Sequence, residues 1–121
     1  MAHYRLGYIL YRSKKSLEAK QQLEAAIQSN PSNYKAHFYM GKILKENHDY
    51  VASLLSFEKA QREHELKVRS LIERGSCYMN MKDFEKASTE LERAIKLSEK
   101  DNTQEILYAR YFLSLAYEHT R

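Results

Sequence analysis

The sequence has no tryptophan, one proline, three glycines and one cysteine in 121 residues. So little Gly and Pro argues against a chain of short strands and tight turns and for a compact helical protein. The lone Cys77 cannot form an internal disulfide, so nothing points to an oxidising compartment and a cytoplasmic location is expected. No stretch reaches the roughly 18 apolar residues that span a bilayer, and the N-terminus has no apolar signal run, so direct membrane insertion is not expected. A strong charge of one sign is missing too. The net charge of +4 divides into +3 over residues 1–33, +1 over residues 34–67 and zero beyond. A dedicated nucleic-acid binder concentrates many more cations on one face to displace phosphate counterions, so no nucleic acid is expected as a partner.

What the chain does have is apolar and aromatic substance. It is 43% hydrophobic and carries ten tyrosines, enough to fill the core of one domain and more than a disordered chain would hold.

The three glycines stand at Gly7, Gly41 and Gly75, 34 residues apart each time. The same step relates Ala26 to Ala60 to Ala94, Leu23 to Phe57 to Leu91, Ala19 to Ser53 to Ala87, and Leu10 to Leu44 to Tyr78. Each unit carries two runs of helical apolar spacing broken by a short polar stretch, so each reads as a helix pair. First helices are expected at about 2–12, 34–47 and 68–81, and second helices at about 16–28, 50–64 and 84–98. Asp49 and Asp83 stand where they would cap second helices, and Asn30-Pro31 should end the second helix of unit one. Small residues at fixed points let helix axes approach, and one hairpin cannot bury its apolar face alone, so the units should stack into an all-α, right-handed superhelical solenoid.

These columns resemble the tetratricopeptide repeat family, whose pattern of Leu, Gly, Tyr, Ala, Phe, Ala and Pro is met in unit one by Leu6, Gly7, Leu10, Ala19, Leu23, Ala26 and Pro31. Unit two offers Met40, Gly41, Leu44, Ser53, Phe57 and Ala60, and unit three Gly75, Tyr78, Ala87, Leu91 and Ala94, with Arg74 where the pattern has Leu. The resemblance covers the whole chain as one domain of about seven helices: units of about 1–33, 34–67 and 68–101, then a longer connection and a fourth first helix or cap at about 103–120. Ser114 lies 39 residues past Gly75, five more than the period. Asn102 with Glu105 is a candidate start for that last helix.

The resemblance implies a protein-binding scaffold and not an enzyme, with the first helices lining a concave groove. Its groove positions fall here on Tyr4, Tyr8, Tyr11, Arg12, Lys35, Phe38, Tyr39, Lys42, Lys45, Arg69, Ile72 and Ser76. That surface reads as aromatic and basic and would suit a protein or peptide carrying acidic and apolar residues. The family's carboxylate clamp for chaperone tails uses Lys, Asn, Asn, Lys and Arg. Its positions correspond here to Tyr4, Tyr8, Tyr39, Arg69 and Glu73, so clamp binding is not expected. A related hairpin family with a period of about 35 reads RNA, but the period and columns here follow the protein-binding pattern.

The remaining chemistry is structural. His3 and His37 share a repeat position and read as packing residues, and His48, His64 and His119 lack neighbours that would complete a metal site. Cys77 reads as a buried thiol. Glu18, Glu24, Glu90 and Glu92 read as exposed, with Glu92 paired to Lys96. Neither a phosphate-binding glycine loop nor a nucleophile motif occurs, so catalytic residues and cofactors are not expected. The last helix is apolar on more than one face. Leu107, Tyr108, Tyr111 and Leu115 therefore form a candidate association surface, for a second copy or for further repeats of a longer solenoid.

Overall fold

A computed structural model of the chain describes residues 2–98 and 104–120. Among them are seven helices: α1 (Ala2–Arg12), α2 (Ser16–Ser29), α3 (Tyr34–Glu46), α4 (Tyr50–Ala60), α5 (His64–Asn80), α6 (Phe84–Leu97) and α7 (Gln104–Thr120). No described helix is long and apolar enough to cross a membrane.

Within each pair the turn is built the same way. Lys14, His48 and Lys82, one period apart, all adopt φ of 63°. The next residue's N–H reaches back to the helix, Lys15 to the Leu10 carbonyl at 2.9 Å, Asp49 to Leu44 at 2.8 Å and Asp83 to Tyr78 at 2.9 Å. This 6→1 bond with a left-handed residue is the Schellman ending, which satisfies last-turn carbonyls and reverses the chain. The sequence gives no sign of it, because Gly or Asn usually fills that position. Only one of the two expected aspartate caps forms. Asp83 accepts from the Lys86 N–H at 3.4 Å, whereas Asp49 makes no side-chain cap bond.

Two boundaries differ from the sequence reading. The second helix of unit two ends at Ala60, not near residue 64, and the next begins at His64, not near residue 68. Unit one has a proline that bars the preceding residue from helix; unit two has none, so α5 resumes after one tight turn and gains a turn at its N-terminus. The expected helix-start residue Asn102 lies outside the described residues.

The glycines set the spacing. A Cβ added at Gly7, Gly41 or Gly75 would stand 2.9, 2.8 or 2.6 Å from the side chains of Leu23, Phe57 and Leu91. Each of those large residues is fully buried. One core runs between α2 and α3 around Leu23 and Ile43, a second joins α3 to α5 around Phe38 and Phe57, and a third joins α5 to α7 around Leu71, Leu91 and Ile106.

First helices touch one another in series, α1 with α3, α3 with α5 and α5 with α7, while α2, α4 and α6 do not. The stack is therefore wedge-shaped, with the first helices on the inner, concave side.

Candidate functional site

Four tyrosines from two helices meet on the concave side. Tyr4, Tyr8 and Tyr11 follow the helical spacing of α1 and so share a face. Tyr39 of α3 stands among them, with ring centroids 4.9 Å from Tyr8, 5.4 Å from Tyr11 and 6.4 Å from Tyr4. All four are half-buried. Burial, then the neighbouring Tyr39 and Tyr8, pushes the Tyr4 phenol up from 10.0 to about 12. Tyr11 is raised by burial and then by Glu46, which accepts its hydroxyl hydrogen bond at 3.4 Å. Tyr8 moves the other way, because the Arg12 guanidinium donates to its oxygen at 3.1 Å. The Tyr8 oxygen is thus already engaged by Arg12, while the other phenols of the cluster are pushed toward the neutral form.

Two cations edge it. Arg12 lies 5.8 Å from the Tyr8 ring centre, and Arg69 of α5 lies 4.7 Å from the centre of Phe38. Neither forms a salt bridge among the described residues, and both are exposed. A cleft lined by Tyr11, Arg12, Lys14, Ser16 and Glu46 continues from the cluster.

The basic centre of the expected groove is different from its reading. Glu73 of α5 accepts from Lys42 at 3.3 Å and from Lys45 at 2.9 Å, so both lysines are committed within the fold. The sequence placed Glu73 at a clamp position and did not connect it to cations 28 and 31 positions away. Phe38 and Ile72 are not on the groove surface. Phe38 is 1% and Ile72 6% exposed, because touching first helices cover the flanks they share. Phe38 packs edge-on against Tyr39 and Phe57. Lys35 is exposed and Ser76 half-buried.

Other side chains sort themselves by packing. His37 is buried and donates from Nε2 to the Pro31 carbonyl at 3.0 Å, and burial lowers its pKa. His3 bonds Gln22 at 2.9 Å across the first hairpin. Cys77 is fully buried beside Ser53 Oγ at 3.5 Å, and burial raises its thiol pKa. No group of three or more metal-ligating side chains occurs among the described residues.

Glu90 is not on an exposed face. It receives Arg74 at 3.1 Å, both side chains 15% exposed, while Arg74 also donates to the Leu54 carbonyl at 2.9 Å. Arg74 in place of Leu is therefore paired by a carboxylate one helix away, a link that no local pattern reveals. Glu92 accepts from the Tyr117 hydroxyl of α7 in place of the expected Lys96 pairing. Leu107, Tyr108 and Tyr111 are exposed and Leu115 is half-buried.

Two family models described as tetratricopeptide repeat match residues 4–67 and 68–101. No curated protein sequence matches significantly. Solved structures share the fold at low identity. PcrH in complex with the chaperone binding region of PopD has a TM-score of 0.90 at 16% identity, over 99% of this chain and 92% of that one. The Yersinia enterocolitica type III secretion chaperone SycD with a peptide of the translocator YopD gives 0.87 at 15%, over 99% and 93%. The first repeat domain of Spaghetti (RPAP3), bound to an HSP90 peptide, gives 0.85 at 13%, over 98% and 90%.

Proposed function

From the premise that the chain belongs to the tetratricopeptide repeat family, we propose that it is a non-enzymatic scaffold that binds a protein or peptide segment on its concave side. The observation that carries this is the tyrosine cluster of Tyr4, Tyr8, Tyr11 and Tyr39, edged by Arg12 and Arg69, which have no carboxylate partner among the described residues. Half-buried aromatic rings supply contact area at low entropic cost, and flanking guanidinium groups orient an acidic residue. The ligand is a segment with an apolar or aromatic side chain next to a carboxylate. Peptide-bound relatives of the same fold support the class of ligand.

The site is not of the carboxylate-clamp type. Of the five clamp positions, three hold tyrosines and one Glu73, only Arg69 keeps the basic character, and the nearby Lys42 and Lys45 are already paired with Glu73. A cytoplasmic setting suits the single buried thiol.

The test is a peptide array probed with the chain and with the double variant Tyr8→Ala/Arg69→Ala. Peptides pairing an aromatic or aliphatic residue with Asp or Glu should be retained by the natural chain and lost by the variant, with helical circular dichroism unchanged. Equal retention by both would remove the concave assignment, and low-micromolar binding of a chaperone C-terminal peptide would remove the exclusion of the clamp.

A further inference from the structure

The fold supplies carboxylates to three cations of its first helices: Glu73 to Lys42 and Lys45, and Glu90 to Arg74. Arg12 of α1 and Arg69 of α5 receive none among the described residues. Aromatic rings hold them instead, and those rings lead from both sides to Tyr8. Arg12 donates to the Tyr8 oxygen at 3.1 Å. Arg69 lies over Phe38 at 4.7 Å, Phe38 stands edge-on to Tyr39 at 5.3 Å, and Tyr39 stands 4.9 Å from Tyr8.

Tyr8 registers both cations. It is held below its ordinary pKa first by the hydrogen bond from Arg12 and, among further causes, by the charge of Arg69. The carboxylates near the cluster act on its other members, Glu63 on Tyr4 and Glu46 and Glu73 on Tyr11.

The free donors at this point select an anion. Even with one N–H turned to a phenol, each guanidinium keeps most of its five donors. The Tyr8 oxygen accepts from Arg12, which leaves its own O–H to donate. Three donor groups with two positive charges therefore meet at one phenol. A carboxylate brings two oxygens and one charge, so it fills such a site in part. A phosphate monoester brings three acceptor oxygens and close to two charges, and it fills the site.

We propose that the group held between Arg12 and Arg69 at the Tyr8 hydroxyl is a phosphate monoester on the bound protein segment, with an adjoining apolar or aromatic side chain on the neighbouring rings. This rests on the concave-side reading above and narrows its ligand from an acidic to a phosphorylated segment.

Matched peptides are the probes: an aromatic residue beside Glu, beside phosphoserine or beside phosphotyrosine, in otherwise identical sequences. Fluorescence anisotropy at fixed salt should show a phosphorylated form bound roughly tenfold or more tightly than the Glu form. Arg12→Ala and Arg69→Ala, each at an exposed position, should bring that ratio close to one. Arg62→Ala removes the same charge from an exposed residue just past α4 and should leave the ratio as it is. Equal affinity for Glu and both phosphorylated forms would overturn this proposal and leave the concave-side reading standing. A ratio that falls as far in Arg62→Ala as in Arg12→Ala would reduce the preference to overall charge and also overturn it. Failure of every peptide, acidic or phosphorylated, to bind would overturn both.

Discussion

Lys45 and Glu73 face each other across the concave side at 2.9 Å, and Lys42 completes the group at 3.3 Å. The positive charge read from the sequence in mid-groove is thus held internally, which leaves Arg12 and Arg69, at the tyrosine end, to meet an acidic ligand.

Glu73→Gln tests this division. It should release both lysines and strengthen binding of acidic peptides, with the gain shrinking as salt rises. Stability should change by no more than about 1 kcal/mol, because both lysines remain partly solvated. Isothermal titration at two ionic strengths measures the first effect and urea unfolding the second. An unchanged affinity would mean that the ligand does not approach mid-groove.

Gly41→Ala should cost roughly 1–3 kcal/mol, since the new Cβ would stand 2.8 Å from the fully buried Phe57 ring and would force it to shift within the core. Gly41→Leu should cost at least as much. A thermal melt unchanged by either would contradict the close-approach role.

The repeated left-handed turn yields a gain in place of a loss. Lys82 holds φ of 63°, a conformation that costs a side-chain-bearing residue roughly 1–2 kcal/mol. Lys82→Gly removes that strain but loosens the unfolded chain, so a net gain of about 0.5–1 kcal/mol is expected in urea unfolding. A loss would show that the Lys82 side chain stabilises the turn.

Much of the fold is legible in the sequence because its determinants recur. The Gly columns and their Leu or Phe partners lie on the same 34-residue step, so one correct hairpin predicts the others. Tyr4, Tyr8 and Tyr11 are legible for a different reason, the helical spacing that puts them on one face of α1. What could not be read is paired across helices or encoded in the backbone. Glu73 with its lysines, Arg74 with Glu90 and Tyr117 with Glu92 join residues whose partners no spacing reveals. The turns at Lys14, His48 and Lys82 use residues that do not advertise a positive φ. Phe38 and Ile72 sit at groove positions by count but are covered where first helices touch.

Alkaline titration follows from the cluster. Tyr4 has a folded pKa of about 12 against an ordinary 10.0. A raised folded value means that the stabilisation is complete below pH 10 and is lost as pH rises toward 12. Unfolding midpoints should hold steady up to about pH 10 and fall above it, and spectrophotometric titration should show Tyr8 ionising before Tyr4. Phenols that all titrate together would contradict the packed cluster.

The most direct measurement is nuclear magnetic resonance mapping of the chain with a peptide selected from the array. Binding on the concave side predicts the largest shifts at the ring protons of Tyr4, Tyr8 and Tyr39 and at the Arg69 guanidinium, and little change along α2, α4 and α6. Shifts confined to those second helices, with the four tyrosines unmoved, would contradict it.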